Sequence, residues 1–130
     1  MKPDITDRKD IEVLIDHFYA KVKVDPVIGY IFTDVMKVDW PMHLPRIYAF
    51  WENAILFTGS YNGNLMAIHK HIHQIIPLSA EHFKSWTTLF CTTVDELFEG
   101  EKAVLAKQRA LSISTVMQVK IINDTNAGLI

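Results

Sequence analysis

The chain has 130 residues, of which 49% are hydrophobic, 22% charged and 11% aromatic, with 13 Lys and Arg against 15 Asp and Glu and a single cysteine. That is one domain, residues 1–130, with enough apolar side chains for a real core, which excludes a disordered chain and a disulfide-stapled miniature. A net charge of −2 leaves no basic stripe to neutralise phosphates, so nucleic acid is not an expected partner.

The first twenty residues are broken up by acids and do not read as a signal peptide. From Ile11 the apolar positions Leu14, Ile15, Phe18, Tyr19 and Val22 recur at helical spacing, with Asp7 as the cap and Asp25-Pro26 as the stop. A short segment, Val27 to Phe32, follows. A second helix opens at about Asp39 with His43, Ile47, Phe50, Trp51 and Ala54 on its inner face and Gly59 as its stop. Pro41 suits a first turn, whereas Pro45 either costs a hydrogen bond or forces a late start. The stretch from Thr58 to Ser79 is a long irregular connection with one helical turn around Met66 to His71, and connections of that length are usually functional. Ser79 caps a third helix through Phe98, closed by Gly100, whose face is Phe83, Trp86, Leu89, Phe90 and Leu97. A last helix runs from residue 101 to about 121 along Ala103, Ala106, Ala110, Ile113 and Met117, leaving a frayed tail and an ordered core of about 7–121. No strict alternation of apolar and polar residues occurs, so the class is all-α. No apolar run approaches the roughly 20 residues needed to cross a bilayer, and the lone Cys91 fits a reducing interior, so the expected location is cytoplasmic with no membrane partner.

There is no Gly-rich phosphate loop, no CxxC pair and no G-x-S-x-G elbow. Three of the six histidines stand in His69-Lys70-His71-Ile72-His73, and three chemistries are open to them. They form a metal-binding row, or one of them is the axial ligand of a haem, or they are ordinary surface histidines. Tyr19, His43 and Trp86 each read singly as a packed core residue with a satisfied polar atom. Together they place three hydrogen-bonding groups on the inner faces of three helices, which calls for mutual bonding or a polar ligand.

The stretches FYAKV (18–22), IGYIF (28–32), H-x-x-x-I-x-x-FW (43–51), YNGNLMAIH (61–69), EHFKSW (81–86) and TVDELFEGEKA (93–103) resemble the group III truncated haemoglobins, in order and spacing, over about residues 7–120. The resemblance implies a shortened globin, a two-over-two helical sandwich around haem b. It makes His69 the proximal ligand, Phe32 the ring on the haem edge, Tyr19 the distal tyrosine, His43 the distal histidine and Trp86 the tryptophan of the penultimate helix. Leu65 stands where relatives usually have proline, and Ser85 where an arginine is common. Pro45, just after the distal histidine, is expected to push His43 outward and ease access.

Under that resemblance Phe32, Ile47, Met66 and Trp86 line the haem, and Arg46 pairs with a propionate. Tyr19 and Trp86 both donate to a small ligand such as O2, CO or NO, which implies slow O2 release, while His43 gates entry or relays protons. Three functions follow: a haem protein that stores or senses O2; an enzyme on the same cofactor that removes nitric oxide or peroxide with an external reductase; and a non-haem metal protein using His69, His71 and His73. The chain is expected to be a monomer or a homodimer.

Overall fold

The computed structural model describes residues 2–35, 37, 39–57 and 78–128. Among these there is no strand, and four long helices carry the fold: α1 (Arg8–Val24), α2 (Trp40–Leu56), α3 (Ala80–Leu97) and α4 (Glu101–Gly128). α1 packs on both α2 and α3, and α4 on both as well, so two helix pairs lie across each other in a two-over-two arrangement. None of these helices is long and apolar enough to cross a membrane.

The ends of α1 are where the sequence puts them. The Asp7 carboxylate accepts from the Asp10 amide, Lys21 and Lys23 lie in the last turn against the negative end of the helix dipole, and Asp25 is the C-cap. The Asp25 carboxylate then accepts from the amides of Val27 and Ile28, turning the chain back toward the helix it has left. Gly29 is required at that return, because a Cβ there would stand 2.9 Å from the carbonyl oxygens of Val22 and Lys23. The segment ends in a turn of π-helix, Ile31–Val35, a geometry that recurs at functional sites, and it delivers Phe32 to the interior.

α2 starts at Trp40, so Pro45 lies inside the helix instead of delaying it. The amides of Met42 and His43 both reach the Asp39 carbonyl, and the bond Pro45 cannot make is absorbed without breaking the helix. Nor is His43 pushed out; it remains half-buried against Trp40, with ring centroids 6.2 Å apart. The helix ends on Phe57, held in the left-handed region at φ 58°, while the expected stop, Gly59, lies outside the described residues.

Ser79 caps α3 as its sequence predicts, accepting from the His82 amide while the His82 ring accepts from the Ser79 amide. The buried face of α4 is small, with Ala106 and Ala110 fully enclosed and Ala103 nearly so, which lets α4 lie close to α2 and α3. Its helical backbone continues to Gly128, beyond the expected end near residue 121. One core, centred on Phe18, Ile15, Leu14, Phe90 and Ile55, joins all four helices, and a smaller cluster of Phe83 and Met117 lies beside it.

Candidate functional site

Aromatic rings occupy the space between the two helix pairs. Tyr19, on the buried face of α1, has Trp40 at 5.0 Å, Phe32 at 6.0 Å and Phe18 at 4.8 Å between ring centroids. Trp40 stacks on Phe32 and meets His43 edge-on, so one ring of α2 gathers side chains of three separate segments. Lys23 closes the outside of this group, its ammonium 4.4 Å from the Trp40 ring centroid.

Trp86 enters from α3 and touches the same Phe18 that supports Tyr19. Its plane is fixed by a near-parallel stack, at 17° to Phe90 and 28° to Trp51. A side chain clamped in this way holds its indole N–H in one direction.

The polar atoms of this wall are not satisfied by one another. Among the described residues none hydrogen-bonds to the Tyr19 hydroxyl, the His43 imidazole or the Trp86 indole. Tyr19 is 8% exposed, and burial alone pushes its hydroxyl far above the ordinary value, so it stays a protonated donor at any working pH. Burial, with the charge of Arg46 second, lowers the pKa of His43 below its ordinary 6.5, which keeps the imidazole neutral near pH 7.

Beside the ring cluster a half-open cleft runs between the turn and the two C-terminal helices. Ile28, Ile31 and Phe32 form one wall, His82, Phe83 and Trp86 another, and Ser114 and Met117 of α4 the floor, with Leu78 at the edge. The cleft is small, about 40 Å3, and open on one side. None of the described lining residues is Asp, Glu, Lys or Arg, a surface that welcomes an apolar group.

Of the residues singled out in the sequence, Phe32 and Trp86 line the cleft, and Tyr19 and His43 join them through Trp40 and Phe18. Ile47 is buried in the main core beside Trp51 and does not line the cleft, and Arg46 is exposed, with its charge felt at His43. Met66, His69, His71 and His73 lie outside the described residues. Trp40, His82 and Ser114 were not anticipated as site residues. The first had a readable signal, since it stands three residues before His43 and so shares its helix face.

No protein-family model matches the chain. The group 3 truncated hemoglobin ctb of Campylobacter jejuni is 30% identical to it over 121 residues, spanning 91% of this chain and 93% of that protein. A crystal structure of the group III truncated hemoglobin from Campylobacter jejuni superposes with a TM-score of 0.80 at 29% identity, covering 93% of this chain and 95% of that one.

Proposed function

This chain belongs to the group 3 truncated haemoglobins, and from that premise we propose that it binds haem b across the apolar cleft and uses the iron to hold small diatomic ligands. The observation that carries the reading is the set of three hydrogen-bonding side chains, Tyr19, His43 and Trp86, gathered at one aromatic wall with no partner among the described residues. Tyr19 is buried and His43 and Trp86 are half-buried, and a ligand entering at this wall would supply the acceptor that their polar atoms lack among the described residues.

The residues present fit such a group. The cleft is apolar and uncharged along its lining, and the open donors stand beside it. When bound, haem supplies an iron centre that takes O2, CO or NO. His69 is assigned as the protein's ligand to the iron, with Met66 from the same stretch against the disc; both rest on the resemblance of YNGNLMAIH to the family's proximal segment. Arg46, exposed on α2, is available to a carboxylate arm.

Tyr19 donates its hydroxyl proton toward the ligand from a site dry enough to make that bond stronger than in water. Trp86, its plane held by Phe90 and Trp51, donates from the α3 side. His43 sits half-buried at the outer end of the wall and, being neutral, adds no charge to it. Two donors retain a polar ligand longer than one, which favours slow release over delivery.

The test is the visible absorption spectrum of protein produced with haem available, in ferric, ferrous and CO-treated samples, beside His69→Ala. A Soret band that shifts with CO and is lost or greatly altered in His69→Ala is the expected result. A colourless protein that retains zinc through His69, His71 and His73 would overturn the reading in favour of a non-haem metal site.

A further inference from the structure

The cleft has one polar corner, where its two walls meet. His82 lines the α3 wall, and its Nε2 lies 3.5 Å from the hydroxyl oxygen of Tyr30, whose neighbours Ile31 and Phe32 line the opposite wall. The Ser79 amide donates to His82 Nδ1 at 3.0 Å. An imidazole nitrogen that accepts a hydrogen bond carries no proton, so neutral His82 keeps its proton on Nε2. That N–H points at Tyr30 and donates to its oxygen, which leaves the Tyr30 O–H to donate outward.

The order of donors is thus set by a backbone amide that cannot reverse: Ser79 to His82, His82 to Tyr30, and Tyr30 to an acceptor at the mouth. Tyr30 is 37% exposed and His82 half-buried, so such an acceptor reaches both. The bond between them is at the long limit for a hydrogen bond, and either donor gains by turning to a charged oxygen instead. The corner also stands in the first turn of an 18-residue helix, whose N-terminal end favours negative charge. No described lining residue is acidic; Glu81, the exposed neighbour of His82 in the same turn, is the nearest carboxylate in the sequence and does not line the cleft.

Resting on the haem reading, we propose that Tyr30 and His82 form a carboxylate-binding rim that holds an acid arm of the macrocycle and so fixes which edge of the disc faces the α3 side. The rim joins an apolar cleft to an acid-accepting corner, the pairing of properties that an apolar ring with carboxylate arms requires.

The probe is protohaem IX compared with its dimethyl ester, which keeps the ring and iron but loses both carboxylates. Release from the protein is followed by transfer to an excess of a tighter-binding scavenger globin, a readout independent of any turnover. Tyr30→Phe leaves the Ser79–His82 cap intact and so guards against a folding defect; His82→Phe is the companion. Each is expected to speed release of the diacid about tenfold, the loss of one charge-assisted bond, and to leave release of the diester unchanged. Equal acceleration of both, or of neither, would overturn the rim while leaving the haem reading in place. Failure of the unaltered protein to take up either compound would overturn the haem reading and the rim with it.

Discussion

Polar groups are treated oppositely in two regions of this molecule. At the start of α4 they are paired within the protein: the Asp4 carboxylate accepts from the amides of Ile5, Lys102 and Ala103, the Glu99 amide donates to the Pro3 carbonyl, and Lys2 and Lys107 both bond Asp95. Asp4 supplies, from the far end of the sequence, the N-terminal cap that Gly100 has no side chain to provide. Gly100 in turn must be glycine, with φ at 137° and a Cβ position only 2.6 Å from the Asp4 side chain. At the aromatic wall the donors of Tyr19, His43 and Trp86 meet no described partner. The first region pairs its polar groups within the protein, and under the proposed function the second keeps its donors for a ligand.

Changes that act on both regions or on one alone break that contrast to different degrees. The largest effect belongs to Phe18→Ala, since this fully buried ring supports Tyr19 and Trp86 together and sits in the main core; denaturant unfolding should show a loss of about 3–5 kcal/mol. Asp4→Ala strips the cap from α4 and should cost about 1–2 kcal/mol, read as a lower midpoint in thermal unfolding with the cleft spectroscopically untouched. Burial works to raise the Asp4 pKa, but the three amides and the charge of Lys102 outweigh it and hold it below the usual carboxylate value. Its stabilisation is therefore present above the ordinary carboxylate range and lost as pH falls through the lowered pKa, so Asp4→Ala should also flatten the acid limb of the stability profile.

Tyr19→Phe sharpens the contrast from the other side. Removing a hydroxyl that no described residue bonds should leave the haem-free protein as stable as before or up to about 1 kcal/mol more stable; a clear loss would mean that the hydroxyl has a structural partner. The smallest effect is that of His43→Gln. With a folded pKa below 6.5, His43 binds fewer protons in the folded state than in the unfolded chain, so stability falls as pH drops through about 6.5 toward the lowered value. The variant should show a shallower decline across that window in melts taken from pH 7 to 5.

What was legible in the sequence is what local chemistry decides. The periodicity of α1, the Asp7 and Ser79 caps and the small face of α4 are statements about residues three or four apart, and each stands in the structure. The fold and family were carried by six short motifs, and a relative 30% identical over 121 residues bears out the family. The outcomes that local reading missed depend on distant partners. The last helix runs past residue 121, and Asp4 caps a helix nearly the whole chain away, because tertiary packing outweighs local cost; Pro45, for which the sequence left two outcomes open, stays inside α2.

Under the proposed function, Tyr19 meets no partner among the described residues because it serves a ligand. The most direct test is the O2 dissociation rate of the haem-loaded protein, measured by rapid mixing with CO, for the unaltered chain and for Tyr19→Phe. The account predicts release at least about tenfold faster in the variant, the equivalent of one lost hydrogen bond in a dry site, with folding stability undiminished. An unchanged rate would contradict it and return Tyr19 to the role of a core ring.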